Sequence, residues 1–254
     1  MFKYVRVSFV FAGALLCAGA MHAQTQPFPL APPAPPNVPP TPMDDSNTGF
    51  RPIFNGTSLD GWEGDSRYWR VENGEIVGEV TPATLLKQNN FLIWRGGTPA
   101  NFEIKVEFKL TGGNSGINYR SEEISGTKYL LRGYQADIDA TDRYTGQNYE
   151  ERRRTFLALR GTITHVATGE KPAVIANIAS ADDLKAFIKH GDWNQYDIIA
   201  RGNVLIQSLN GHLMSEVIDD DTANRRSSGL IGVQVHVGGP MKVEYRNFLL
   251  KELP

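Results

Sequence analysis

The sequence predicts an all-β fold, a single two-layered sandwich with one short connecting helix, and three observations carry that reading. From Phe50 onward, short apolar or alternating runs are spaced by glycine, asparagine and aspartate, the pattern of many short antiparallel strands. The clearest run, Phe102 to Leu110, alternates five apolar with four charged residues and so covers a core on one side only. The chain has 254 residues, 41% hydrophobic and 10% aromatic, enough to bury one substantial core. Single sandwich domains of roughly 200–250 residues are ordinary.

Taken in order, the elements begin with a leader. Lys3 and Arg6 precede a run from Val7 to Ala20 that is too short to span a membrane as a mature helix, so residues 1–23 read as a signal peptide. Ala18-Gly19-Ala20 and Ala23 offer two cleavage sites. The expectation is export to the periplasm or the extracellular space, with no transmembrane segment left after cleavage. Cys17 is the only cysteine, and Ala14-Leu15-Leu16 before it lacks the small residue usual ahead of a lipidated cysteine. The mature domain is therefore expected to hold no disulfide. Residues 24–48 form a linker in which nine of the fifteen prolines fall between Pro27 and Pro42, favouring extended polyproline II. The folded domain is placed at 49–254.

Within it, strands are expected at Tyr68–Val71, Glu75–Val80, Phe91–Trp94, Phe102–Leu110, Ile117–Arg120, Tyr134–Asp139 and Phe156–Leu159. A meander follows at Tyr196–Ala200, Val204–Leu209, Leu230–Val237 and Val243–Leu250, with tight turns at Arg201-Gly202-Asn203 and Asn210-Gly211. The one helix runs from Ala181 to His190, with Ser180 as cap, Asp183 as the capping-box acid and Gly191 as terminator. No repeat period is evident, which excludes propellers and solenoids.

The net charge of −2 gives no field to gather polyanions, so nucleic acid is not an expected partner. Arg152-Arg153-Arg154, flanked by Glu150 and Glu151, reads as a solvated mixed-charge run. No cofactor is evident. There is no H-E-x-x-H, cysteine pair or calcium loop, although a divalent metal held by carboxylates and histidine from distant strands stays open. Gly112 to Gly116 lacks the lysine and helix of a phosphate loop, and no G-x-S-x-G elbow is present.

Three strands put an unusual set of side chains on the face away from the core. If Ile117 and Tyr119 point inward, Asn118 and Arg120 point outward; likewise Gln135, Asp137 and Asp139, and Gln234 with His236. A solvated sheet face usually carries Lys, Glu, Thr and Ser. Planar amides, carboxylates, an arginine and a histidine instead suit a polyol, and a carbohydrate is the expected partner. Asp137 and Asp139, with Cβ atoms roughly 6.5–7 Å apart on one face, have a spacing that suits paired glycosidase carboxylates as well as a hydrogen-bonded surface pair.

Four ordered motifs now converge on a family. Gly49-Phe50-Arg51-Pro52-Ile53-Phe54-Asn55-Gly56-Thr57-Ser58-Leu59-Asp60-Gly61-Trp62, Asn114 to Arg120, Gly133-Tyr134-Gln135 and Gly232 to His236 resemble the 3-keto-disaccharide hydrolase domain family, over roughly Phe50 to Leu253. The resemblance implies a concanavalin A-like jelly roll and activity on glycosides already oxidised at carbon 3. The chain departs from the family pattern at Gln135 and Asp137, where a glutamate and a glutamine are usual. It also resembles laminarinase-type glucanases, whose catalytic strand reads E-x-D-x-x-E, but Gln135 stands at the nucleophile's place.

A 3-keto sugar removes the need for a nucleophile, because the ketone acidifies the proton on carbon 2. The expected roles are Asp137 or His236 as base and Arg120, or a metal in its place, stabilising the enolate. Asn118, Gln135, Asp139 and Gln234 would hold sugar hydroxyls. The 16 residues from Ala140 to Thr155 read as a long loop that brings Tyr149 and Arg153 over one end of the pocket. The rival reading is a non-catalytic, lectin-like carbohydrate-binding module, a function the same sandwich hosts equally well.

Overall fold

The alternation of Phe102–Thr111 is realised literally in the computed structural model, which describes residues 47–254: every apolar residue of this strand up to Leu110 is buried and every intervening charge is half-exposed. Each such inward side chain contributes on the order of 2 kcal/mol by burial. The leader, Cys17 and most of the linker lie outside the described residues.

In chain order the strands are β1 (Arg51–Pro52), β2 (Trp62–Glu63), β3 (Trp69–Glu72), β4 (Glu75–Val80), β5 (Asn90–Trp94), β6 (Phe102–Thr111), β7 (Asn114–Glu123), β8 (Leu131–Asp139) and β9 (Asn148–Glu151). There follow β10 (Thr155–Ala158), β11 (Thr162–Ala167), β12 (Ala173–Asn177), helix α1 (Ala181–Lys185), β13 (Asn194–Arg201), β14 (Val204–Leu209), β15 (His212–Asp220), β16 (Leu230–Val235) and β17 (Met241–Glu252). They form two sheets. The larger runs β12-β11-β15-β14-β13-β6-β17-β4-β3, with β1 also on β17; the smaller runs β10-β9-β8-β7-β16-β5-β2. Between them lies one main core, with Trp69, Phe102, Tyr119, Tyr134, Tyr196, Tyr245 and Phe248 among its large side chains. This is the jelly-roll sandwich the sequence predicts.

The differences are local. The helix stops at Lys185, although Ser180 does cap it by accepting from the Asp183 amide at 3.1 Å. Beyond it, Phe187 and Ile188 bond three residues back, to Leu184 and Lys185, because only Leu184 has a core to face and the rest tightens into turns. Strands β9, β11, β12 and β15 were not expected. β12 is exposed along its whole length, so no buried face marks it. β11 pairs with β15 in parallel, and a register shift near Gln207 breaks the alternation that would have revealed β15. Among the described residues no helix is long and apolar enough to cross a membrane.

Candidate functional site

The outer face of the smaller sheet follows from its register. Ile117 pairs with Ala136 and Val233, all in the core, so the neighbouring residues Asn118, Gln135 and Gln234 share the opposite face. Gln135 also pairs with Tyr149 on β9, which adds Tyr149 and, two residues on, Glu151 to that face. The connection between β7 and β8 folds over part of it: Tyr129 accepts from the Phe91 amide at 2.9 Å, and Leu130 and Leu131 pack on Phe91 and Ile93.

Three glycines shape the surface by omission. A Cβ on Gly116 would stand 2.5 Å from Cδ of Gln135, so the glutamine side chain lies where a residue 116 side chain would be. A Cβ on Gly232 would meet Leu131, and one on Gly133 would meet Ser121. The floor is therefore built of side chains lying across the strands. Gln234 Nε2 donates to Gln135 Oε1 at 3.3 Å, and Gln135 Nε2 donates to Asp137 Oδ1 at 2.6 Å. Asn118, fully buried, has no hydrogen-bond partner for either side-chain heteroatom, and neither has Gln234 Oε1. Such orphaned buried amides cost free energy and belong where a ligand completes them.

The backbone beneath is pinned from the other sheet. Tyr196 Oη on β13 donates to the carbonyl of Asp137 at 2.6 Å and accepts from the Gly146 amide at 2.7 Å. Gln207 Nε2 on β14 reaches the carbonyl of Gln135 at 3.3 Å. Both bonds cross the core, so the strand bearing Asp137 is held from below while its side chains face outward.

Asp137 is 5% exposed. Burial pushes its carboxyl up to about 8; the Gln135 hydrogen bond works against that rise, while the charges of Glu151 and Asp139 add to it. Glu151 is raised as well, again mainly by burial, tempered by the Asn89 amide bonded to it at 3.1 Å and by Arg152, His236 and Gln234. The rim is formed by half-exposed Tyr149 and His236. The His236 ring approaches the Val237 carbonyl through Nδ1, and its backbone amide meets Met241 Sδ at 3.2 Å. Among the described residues no group of three or more His, Cys, Asp or Glu is disposed to hold a metal ion.

Three expected site residues stand elsewhere. Arg120 adopts a positive φ of 43° in a bulge where β7 slips against β8, and this turns it off the outer face. Its guanidinium is committed to the carbonyls of Ala100 (2.9 Å), Gly202 (2.8 Å) and Arg226 (3.3 Å), and it tethers loops rather than an enolate. Asp139 closes a turn, accepting from Thr141 Oγ1 at 2.5 Å and the Arg143 amide at 2.9 Å. Arg153 faces the core-side acid Glu150 (3.2 Å) and donates to the Asn224 carbonyl at 3.0 Å.

The expected long loop is in fact the hairpin β9–β10, with the three arginines in its turn. Nor is that run solvated as a whole: Arg154 bonds buried Glu150 (2.5 Å), Asp219 (2.7 Å) and Asp221 (3.3 Å). Burial disfavours its charge, but Asp219 and Glu150 more than offset that and raise its pKa. Glu151 and Asn89 were missed. The available signal was the alternation in Asn148-Tyr149-Glu150-Glu151, which sends its first and third residues to the core and its second and fourth outward.

Solved structures with this fold include two Parabacteroides distasonis proteins provisionally assigned as glycosyl hydrolases. One is 16% identical with a TM-score of 0.53, covering 80% of this chain and 99% of its own. The other is 19% identical with a TM-score of 0.52, covering 81% and 94%. The carbohydrate-binding module CBM66 from Bacillus subtilis is 15% identical with a TM-score of 0.50, covering 76% and 96%. At such identities the likeness is one of fold. No curated protein shows significant sequence similarity to the chain. The family model for the 3-keto-alpha-glucoside-1,2-lyase-like domain matches residues 49–251, the stretch that contains both sheets and the amide-and-acid face, and the chain belongs to that carbohydrate-related family.

Proposed function

We propose that the domain cleaves glycosides oxidised at carbon 3, by elimination across carbons 1 and 2 followed by hydration. The observation that carries this is Asp137: a desolvated carboxyl near neutral pKa, bonded to an amide and set among further amides, with Gln135 beside it where a retaining glycosidase would hold its nucleophile. In the first step the ionised Asp137 takes the proton from carbon 2, and the C–H electron pair forms the enolate toward the carbon 3 oxygen. The enolate then collapses, restoring the ketone, forming the C1=C2 bond and breaking the bond from carbon 1 to the leaving oxygen. That oxygen takes the proton now held by Asp137. Addition of water to carbon 1, with a proton returned to carbon 2, yields the free 3-keto sugar, so the net change is hydrolysis.

Arg120 is unavailable to the enolate, and the donors that remain on the face are the side-chain amides. Asn118 Nδ2, without a protein partner, would meet the developing oxyanion, while Gln135 and Gln234 orient hydroxyls. Asn118 and Gln234 are fully buried, so contact with a sugar requires the cover over the sheet to lift. Incubating the purified domain with 3-keto-glucosides and with the parent glucosides tests the reading. Selective cleavage of the keto forms, with solvent deuterium entering carbon 2 of the product, is expected. Cleavage of only the parent sugars would overturn the elimination, and binding without any turnover would favour the lectin-like module. Export to the periplasm or beyond, proposed from residues 1–23, is checked by cell fractionation and N-terminal sequencing.

A further inference from the structure

We propose that Tyr149, Phe156 and Tyr144 form a shelf that receives an aromatic, phenolic leaving group of the glycoside. This rests on the function proposed above and extends it to the far side of the bond that breaks. Phe156 is the cross-strand partner of Tyr149, which is itself the partner of Gln135, so the three stand in one row from the floor to the sheet edge. The ring of Phe156 lies 5.0 Å from Tyr149 at 66° and 5.7 Å from Tyr144 at 23°, an edge contact followed by a near-parallel stack.

This row begins beside the acids, since the charges of Glu151 and Asp137 both act on the Tyr149 hydroxyl. It ends in solvent: β10 is an edge strand, and Phe156 and Leu159 keep 38% and 53% of their surface exposed. Next to it, Gln147, Arg143, Leu159 and Arg160 line a cleft of about 460 Å³, room for a ring that overhangs the shelf.

The chemistry favours an aryl group over a second sugar. A sugar ring needs donors and acceptors around its equatorial hydroxyls. Here the polar neighbours are already engaged: Gln147 Nε2 donates to the Arg143 carbonyl, and Arg160 to the carbonyls of Ala181, Asp142 and Thr145. What remains on offer is ring face and aliphatic surface, which a planar phenol buries without leaving hydroxyls unpaired. A phenol, with a pKa of about 10, also departs more readily than an alcohol.

The test compares Phe156→Ala with the native protein on phenyl, methyl and glucosyl 3-keto-β-glucosides. The expected result is a loss of about tenfold in kcat/KM for the phenyl substrate, mainly through KM, with the methyl substrate unchanged and the Tm nearly so. Equal effects on phenyl and methyl substrates, or none, would overturn the shelf; an equal loss on the disaccharide would make it a sugar platform instead. Calorimetric titration with unoxidised phenyl β-glucoside separates the shelf from the reaction. Binding by the native protein that is lost in Phe156→Ala supports the shelf even if no keto-glycoside is cleaved. Binding that is absent, or that survives the substitution, removes it.

Discussion

The two sheets present polar groups outward in opposite ways. On the larger sheet, Lys109 meets Glu244 at 3.0 Å, Arg246 meets Glu107 at 2.7 Å, and Arg246 and Lys109 both lie over the Trp193 ring, with partly exposed side chains throughout. On the smaller sheet, acids and amides are almost wholly buried, and Asp137 is bonded to an amide rather than a cation. Paired, hydrated charges cost little and do little, whereas a carboxyl stripped of water and denied a counter-ion has its proton affinity rebuilt by its surroundings. The difference separates a surface that keeps the domain in solution from one prepared for proton transfer.

The contrast is broken most completely by Asp137→Asn, which keeps an acceptor for Gln135 but removes the ionisable group. Steady-state assays should show a fall of about 10²–10⁴-fold in kcat/KM on the keto substrate. Stability should move the other way. The folded protein holds the Asp137 proton to about pH 8, while the unfolded chain releases it near 3.8. This group's contribution is therefore complete below pH 3.8 and lost as pH rises through 8, by several kcal/mol. Asparagine removes that loss, so denaturant titrations at pH 9 should find the variant more stable than the native protein. A native activity profile that does not rise toward pH 8 would remove Asp137 as the base.

A smaller effect is expected from Tyr196→Phe, which leaves the Asp137 carbonyl and the Gly146 amide without their shared hydroxyl. The cost should be about 1–3 kcal/mol in urea unfolding, with a drop in kcat exceeding any rise in KM. Glu151→Gln sharpens the comparison further. Removing a charge that raises Asp137 should move the acid limb of the pH profile toward lower pH, and an unmoved limb would place Glu151 outside the electrostatics of the site. Least of all, Glu107→Gln on the larger sheet should cost under about 1 kcal/mol and leave the pH profile intact.

Much of this was legible in the sequence where one face is apolar and the other is not. Phe102–Leu110, Tyr134–Asp139 and Leu230–Val235 declare themselves by alternation, and their register then assembles Asn118, Gln135, Asp137 and Gln234 on one face. Arg120 defeated the same logic because a bulge adds a residue, and every side chain beyond it changes sides. β9 was hidden for a different reason: its core-facing residues, Asn148 and Glu150, are polar, satisfied by Tyr119 and Arg154 across the fold, and no hydrophobic pattern announces such a strand. Asn89 comes from a distant connection, beyond the reach of any pattern read along one strand.

The sheet order has a further consequence for how such a protein changes over generations. Asp137 sits on the third strand from the edge, hydrogen-bonded on both sides and clamped from beneath, while Phe156 sits on the outermost strand with solvent beside it. Amide exchange should be slow at the first and fast at the second. Mutations at the rim can then accumulate and be sampled without disturbing the floor, so the range of glycosides accepted is free to drift while the chemistry performed on them is inherited intact.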